Sequence, residues 1–191
     1  MSKPLELLWA FIGLILTVGG TFIEAFIAGI PLEWADPRSL GVSWQIGAML
    51  FVGCMGGRHA AAISQIAYIF LGLTWFPIFT YGGGIRYIFE PTFGYLLGFV
   101  PGAWVCGVLA LQFPKRLELL ALSCLCGLFT VHLTGISYLV VNHFIDNENT
   151  RGLSALLSNL FNYSVAPVPG QLVIVCAVSL VAYILRSIMF Y

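Results

Sequence analysis

The sequence predicts an all-α integral membrane protein, a six-transmembrane-helix bundle with both termini cytoplasmic. Of the 191 residues, 60% are hydrophobic and only 8% are charged. A soluble domain carries roughly 25% charged residues, because water has to wet its surface. The hydrophobic residues also fall into six long runs separated by proline, glycine and charge, and about 20 apolar residues in a helix are enough to cross a bilayer.

The first run could be mistaken for a cleaved signal peptide. Lys3 precedes the apolar stretch Leu5–Ile23, which is longer than the roughly 7–15 residues of a signal-peptide core. It is therefore predicted to be a retained first helix. The six predicted helices belong to a single domain, residues 1–191, and cover about residues 5–28, 43–55, 60–75, 92–112, 117–141 and 167–188.

Short sequence signals separate these helices. Gly56-Gly57-Arg58-His59 predicts a tight turn between helices 2 and 3. Longer loops are predicted over Gly29–Val42 and Phe76–Pro91. A short amphipathic segment, Leu153–Tyr163, precedes the break at Pro167-Val168-Pro169-Gly170 where helix 6 begins.

Positive charges set the predicted orientation, because cytoplasmic loops are enriched in Lys and Arg. With the N-terminus inside, the inner segments hold Lys3, Arg58, Lys115, Arg116 and Arg186. The outer loops then hold Arg38, Arg86 and Arg151 together with Glu33, Asp36, Glu90, Asp146 and Glu148. This pattern predicts a multi-pass protein of the cell (inner or plasma) membrane, with its long loops outside.

The sequence offers no enzymatic motif. It contains no Gly-x-x-x-x-Gly-Lys-Ser/Thr phosphate loop, no His-Glu-x-x-His and no Gly-x-Ser-x-Gly. Its formal net charge is zero, which gives no basic face for nucleic acid. We therefore expect a binding protein without a cofactor and without a nucleic-acid partner.

The cysteines and histidines lack metal-ligand spacing. All five cysteines lie in apolar runs, and Cys124 and Cys126 are two residues apart, which places them on nearly opposite faces of a helix. They are interpreted as small apolar helix residues, and no metal site is predicted.

The segment Phe76–Tyr95 is the richest candidate for ligand binding. Gly82-Gly83-Gly84 lets the backbone approach a ligand and leaves N–H groups free to donate. The aromatic residues at positions 76, 79, 81, 87, 93 and 95 can wall an apolar pocket. The alternative is an interfacial aromatic belt with a flexible turn, and composition does not separate the two.

Five polar residues each have two interpretations. Arg86 can bind a ligand carboxylate or pair with Glu90 four residues later. Gln45 and Gln171 can bind an amide-like ligand or a neighbouring helix backbone. His132, at mid-membrane depth in predicted helix 5, can be functional or a neutral histidine bonded across helices.

Helix 1 carries small residues on one face. Gly13, Thr17 and Gly20 follow an i, i+4, i+7 spacing, which lets another helix approach closely. That helix can belong to a partner protein or to the same bundle.

Several short segments follow one another along the chain. They are Val42-Ser43-Trp44-Gln45 leading to Gly53, Gly57-Arg58 leading to Tyr68, Leu71-Gly72, Phe76-Pro77-Ile78-Phe79, Gly82-Gly83-Gly84, Pro91-Thr92-Phe93-Gly94-Tyr95-Leu96-Leu97-Gly98-Phe99 and Pro169-Gly170. In this order and at this spacing, they resemble the BioY family, the biotin-binding S components of energy-coupling-factor (ECF) transporters. The similarity is strongest over residues 41–99.

The resemblance implies high-affinity capture of biotin from the outer side, in a site capped by the first and third loops. It also implies a transmembrane coupling protein, contacted by Gly13 and Thr17, and two cytoplasmic ATPase subunits. The predicted ligand-binding residues are Gln45, Phe79, Thr80, Gly82, Gly83, Gly84, Arg86, Glu90, Thr92, Tyr95 and Gln171. An S component for another small vitamin-like ligand, or a structural subunit of a membrane complex, remains the alternative.

The chain departs from the family pattern at the start of helix 6. Gln171 and Ile174 stand where that pattern has Asp and Lys. One hypothesis is that Arg86 instead supplies the positive partner for the biotin carboxylate.

We predict that Arg86→Ala weakens biotin binding tenfold or more, a loss on the order of 1.4 kcal/mol. Isothermal titration calorimetry on the purified protein measures this effect, and an unchanged affinity rejects the role of Arg86.

Overall fold

The computed structural model describes residues 3–27, 38–145 and 152–189. Its α-helices are α1 (Lys3–Thr21), α2 (Gln45–Thr74), α3 (Phe93–Gln112), α4 (Leu117–Ile145), α5 (Leu153–Leu160) and α6 (Val168–Met189). The strands β1 (Glu24–Ile27) and β2 (Arg38–Ser43) pair antiparallel. A 3-10 helix covers Ile85–Phe89, and a π-helical turn, Phe161–Val165, connects α5 toward α6.

The helices have the length and surface expected in a membrane. Five segments among the described residues are long and apolar enough to cross one, namely α1, α2, α3, α4 and Leu153–Met189. Large apolar side chains cover the outside of the bundle: Leu7 is 63% exposed and Phe129 is 68% exposed. An exterior of this kind suits lipid better than water.

Helix α2 folds back on itself at Gly57. Gly57 is non-helical, with φ 76° and ψ −177°. The side-chain amide of Gln45 donates to the hydroxyl of Tyr68 over 2.9 Å, although 23 residues in a straight helix would separate them by about 35 Å. The α2 range therefore consists of a first arm, residues 45–56, and a second arm, residues 58–74, which run in opposite directions. The reversal lies within the turn predicted from Gly56-Gly57-Arg58-His59.

The chain reversals define one end of the bundle, here named the basic end. The backbone of Arg58 lies against Gly107 of α3, and the Arg186 guanidinium donates to the Ala110 carbonyl over 2.7 Å. Trp9, near the start of α1, packs on Gly56. The first residues of α1 and the last turns of α6 therefore lie at this end, together with the α2 reversal and the turn between α3 and α4.

The opposite end, named the cavity end, contains the small sheet. Helix α1 was predicted to continue to Ala28 but ends at Thr21, because residues 24–27 pair with 38–43. The β-branched and aromatic residues of β1 favour this extended pairing. The rest of the fold is helical, as predicted, and this two-stranded sheet is the addition that the sequence did not predict. The rest of the first predicted loop, residues 28–37, lies outside the described residues, as do residues 146–151.

The small-residue face of α1 packs inside the bundle. A Cβ added at Gly13 would lie 2.9 Å from the Ser64 side chain. Thr17 is fully buried, and its hydroxyl accepts a hydrogen bond from Gln65 over 3.0 Å. The predicted contact of Gly13 and Thr17 with a coupling protein is therefore corrected, because α2 already occupies this face.

We predict that Gly57→Ala destabilises the protein by about 1–3 kcal/mol, since this backbone conformation is almost exclusive to glycine. The added Cβ would also lie 2.5 Å from Leu111. Thermal unfolding in detergent measures the loss. The matched control is Gly19→Ala, where no atom lies within 4 Å of the added Cβ. Equal melting temperatures for the two variants would contradict the claim that the chain reversal at position 57 requires glycine.

Candidate ligand-binding site

A cavity of about 210 Å³ opens at the cavity end of the bundle. It reaches the surface beside Tyr81, which is 66% exposed. Its walls come from β2, the starts of α2, α3 and α6, the 76–91 segment, α4 and the π-helical turn. The lining residues are Val42, Ser43, Gln45, Ile46, Thr80, Tyr81, Tyr87, Thr92, Tyr95, Leu96, Phe99, Val131, Tyr163 and Gln171. Every polar group in this set belongs to an uncharged residue type.

Gln45 is held in place by a buried hydrogen-bond cluster. It begins α2 directly after β2 and is 6% exposed. Its amide nitrogen donates to the Tyr68 hydroxyl, which in turn donates to the Ile78 carbonyl over 2.9 Å. Thr21 of α1 lies 3.0 Å from the same hydroxyl. The amide oxygen of Gln45 accepts no bond from a described residue, so it is available as an acceptor at the cavity wall.

Gln171 offers the cavity a hydrogen-bond donor, whereas Gln45 offers an acceptor. Its amide oxygen lies 2.7 Å from Nε2 of His132 on α4. With this amide orientation, the histidine must donate, which places its proton on Nε2. The amide nitrogen of Gln171 then remains a donor on the cavity side. The ring of Tyr95 packs edge-on against His132, with centroids 5.9 Å apart.

Two further bonds position the tyrosines of the cavity. The Tyr87 hydroxyl lies 3.1 Å from Thr92 Oγ1, and Tyr95 bonds the hydroxyl of Ser164. Burial raises the pKa of Tyr87 above its usual value, the bond to Thr92 partly offsets this, and the nearby Glu90 carboxylate adds to the rise. Tyr87 is therefore a neutral phenol at physiological pH, able to donate or accept a hydrogen bond.

The glycine run shapes a turn and does not line the cavity. The N–H of Gly82 donates to Phe79 over 3.0 Å, and that of Gly84 donates to Gly72 over 2.8 Å. A Cβ at Gly83 would lie 2.6 Å from the Phe76 carbonyl oxygen. The expectation that this run leaves free N–H groups for a ligand is therefore corrected at Gly82 and Gly84, whose donors bind other backbone groups.

Three more of the predicted ligand residues do not line the cavity, namely Phe79, Arg86 and Glu90. Phe79 is buried between the rings of Tyr68 and Tyr87, at centroid distances of 5.3 and 4.7 Å. Arg86 and Glu90 are exposed on and just after the 3-10 helix, and they do not form an ion pair with each other. Of the predicted ligand residues, those that line the cavity are Gln45, Thr80, Thr92, Tyr95 and Gln171.

Several residues of this site were not among those predicted from the sequence. Tyr163 lies at the end of the predicted amphipathic segment, and its aromatic ring was the available signal. Tyr68 carries the central hydroxyl of the buried cluster, but its position in an apolar helix gave no indication of that role. Val131 is adjacent to His132, so neighbouring positions of α4 contribute an apolar part of the wall and the partner of Gln171.

The fold defines a multi-pass membrane protein with a cavity between its helices at one end of the bundle. The chain belongs to the BioY family, whose model matches residues 3–190. The family predicted from the sequence is thereby confirmed. It is a family of transport proteins, and the chain is not an enzyme.

Three known proteins are similar to this chain, and each alignment covers a different fraction of its length. An uncharacterized 21.2 kDa protein of Cyanophora paradoxa is 29% identical over 98% of this chain and 98% of its own length. A probable biotin transporter BioY of Lysinibacillus sphaericus is 36% identical over 66% of this chain and 60% of its own length. The biotin transporter BioY of Thermotoga maritima is 32% identical over 47% of this chain and 52% of its own length.

A solved structure shares the fold. The crystal structure of the S-component for biotin from an ECF-type ABC transporter superposes with a TM-score of 0.66, at 21% sequence identity. The match covers 98% of this chain and 95% of the other.

We predict that Tyr68→Phe lowers stability by about 1–3 kcal/mol, because it leaves buried partners of the lost hydroxyl unsatisfied. Thermal unfolding in detergent measures the change. Tyr183→Phe is the control, since the Tyr183 hydroxyl bonds no described group. A Tyr68→Phe protein as stable as this control would show that the buried cluster does not hold the site together.

Proposed function

We propose that the protein is the biotin-binding S component of an ECF-type transporter. Membership of the BioY family and the shared fold of the biotin S-component support this proposal. The observation that carries it is the pair of glutamines across one cavity, with the oxygen of Gln45 as acceptor and the nitrogen of Gln171 as donor.

The two glutamines match the polar ring of biotin. A ureido group presents N–H donors and a carbonyl acceptor on one rigid ring, and Gln45 and Gln171 offer one partner for each kind. Leu96, Phe99 and Val131 line the same cavity and provide apolar contact for the rest of the bicyclic system. A few oriented polar groups in an apolar wall are typical of a selective small-molecule site.

The carboxylate of biotin requires a separate partner. The described cavity wall has no cation, because its polar residues are Ser, Thr, Tyr and Gln. Arg86, exposed on the 3-10 helix beside lining residue Tyr87, is the proposed partner. A bidentate guanidinium–carboxylate contact would form at the rim and not in the depth of the cavity.

The proposed topology has six spans, with both termini cytoplasmic. It counts the two arms of α2 as separate spans, because the reversal at Gly57 returns the chain to the same side. Arg58, Lys115, Arg116 and Arg186 lie at the basic end, which suits the cytoplasmic face. The cavity would then face outward, in a cell (inner or plasma) membrane.

High affinity would require enclosure of the ligand. Nanomolar binding corresponds to about −12 kcal/mol, which for roughly sixteen non-hydrogen atoms is near −0.75 kcal/mol each and within the known range. We propose that the segment carrying Thr80 and Tyr81 covers the bound molecule, since Tyr81 lies at the exposed rim of the cavity.

The energy for uptake would come from other subunits. The chain has no phosphate-binding loop of its own. We propose a transmembrane coupling protein and two cytoplasmic ATPase subunits as partners, in line with the ECF-type assembly from which the matched structure comes. Membrane lipid covers the remaining apolar surface.

The neutral cavity wall supports one alternative, an S component for an uncharged vitamin-like ligand. Calorimetry separates the two. A protein that binds biotin methyl ester at least as tightly as biotin would favour the uncharged ligand and remove the need for Arg86.

We predict that Gln171→Leu weakens biotin binding about tenfold or more, since it removes a ligand donor and leaves His132 without its acceptor. Calorimetry on purified protein measures the dissociation constant. Gln112→Leu, an exposed position at the basic end, is the matched control. If Gln171→Leu binds biotin as the control does, this cavity is not the biotin site.

A further inference from the structure

Three cysteine thiols meet in the core of the bundle, away from the ligand cavity. They come from three different elements: Cys54 from the first arm of α2, Cys106 from α3 and Cys124 from α4. All three side chains are 0% exposed. The Cys54 sulfur lies 3.5 Å from that of Cys124 and 3.8 Å from that of Cys106.

The sulfur triangle has the dimensions of a trigonal metal site. The three sulfur atoms all lie within 4.8 Å of one another. A cation bound to three sulfurs at about 2.3 Å in one plane needs sulfur–sulfur distances of about 4.0 Å. The two distances from the Cys54 sulfur, 3.5 and 3.8 Å, are slightly shorter than that value, so the triangle could open around an ion with side-chain shifts of a few tenths of an ångström.

The donor set selects the kind of ion. Three sulfurs suit a thiophilic cation and are poor ligands for Mg²⁺ or Ca²⁺, which prefer oxygen. Zn²⁺ takes four ligands in its structural sites. The additional polar side chain beside Cys124 is Ser179, whose hydroxyl already donates to the Val175 carbonyl over 2.6 Å. A three-coordinate ion is therefore favoured.

The position in the bundle places a positive charge near the three thiols. Cys54 lies three residues before the helix break at Gly57. Arg186 bonds the carbonyl of Ala110, one helical turn after Cys106. The site is thus close to the basic end, where a guanidinium can partly balance the thiolates that form when the bound thiols release their protons.

We propose that Cys54, Cys106 and Cys124 form a trigonal thiolate site for a single Cu(I) ion. The site joins α2, α3 and α4 and is separate from the proposed biotin function. A bound ion would tie together three helices that also form the ligand cavity. The spacing along the sequence gave no indication of it, because no two of these cysteines belong to one helix.

The test is a titration of purified, reduced protein with Cu(I) against a chromophoric Cu(I) chelator in detergent. One equivalent of copper per chain is expected. Cys106→Ser should weaken binding by about tenfold or more, because a whole ligand is lost. Cys176→Ser, whose native thiol is exposed and outside the cluster, is the matched control and should bind as the unaltered protein does.

X-ray absorption on the copper-loaded protein gives a readout that needs no variant. A shell of three sulfur atoms at about 2.2–2.3 Å supports the site. The proposal is overturned if no copper is retained against the chelator, if the shell contains mainly oxygen or nitrogen, or if Cys176→Ser and Cys106→Ser bind copper equally. Tight retention of Zn²⁺ but not Cu(I) would likewise overturn the three-coordinate assignment.

Discussion

The hydrogen bond from Gln45 to Tyr68 joins the first residue of α2 to a residue near its other end. It can form only because α2 reverses at Gly57, where a positive φ and the contact with Leu111 leave no room for a side chain. The reversal packs two antiparallel arms against α1 on one side and α3 on the other. Both the location of the cavity and its first polar group follow from this one turn.

The buried cluster around Tyr68 connects the cavity to helix α1. Gln45 donates to the Tyr68 hydroxyl. The Thr21 hydroxyl lies 3.0 Å from the same oxygen and donates to the Thr17 carbonyl over 2.9 Å. Inside an apolar bundle, such groups are costly unless they bond one another. The cluster therefore fixes the relation between α1 and α2, and with it the orientation of the Gln45 amide at the cavity wall.

Charge is kept away from the ligand cavity. The described wall contains only uncharged side chains, while Arg86 and Glu90 lie on the exposed segment beside it. A neutral wall favours a ligand whose buried part is uncharged, because an unpaired charge in this environment would carry a large desolvation cost. Specificity for the buried part would then come from the direction of hydrogen bonds at Gln45 and Gln171.

Much of this arrangement could be predicted from local sequence. Apolar run lengths indicate the membrane class, and the glycine pair at 56–57 indicates the reversal, since both signals depend on neighbouring residues alone. The strands could not be predicted, because β1 is extended only through its pairing with β2. The positions of Gly82 and Gly84 likewise depend on backbone partners at Phe79 and Gly72.

For the side chains too, local sequence signals could be predicted and contacts between distant segments could not. Gln45 and Gln171 stand out as polar residues at the starts of apolar helices. Tyr68 and the three core cysteines do not stand out, since their roles arise only where separate helices meet. The BioY resemblance identified the family correctly, but it placed Gly13 and Thr17 on a partner surface that α2 covers in this chain.

The most direct measurement is an experimental structure of the protein crystallised with saturating biotin. We expect the ureido ring between Gln45 and Gln171, with the carboxylate directed toward the rim near Arg86. Biotin bound elsewhere on the bundle, or a cavity filled by side chains while biotin is bound, would contradict it.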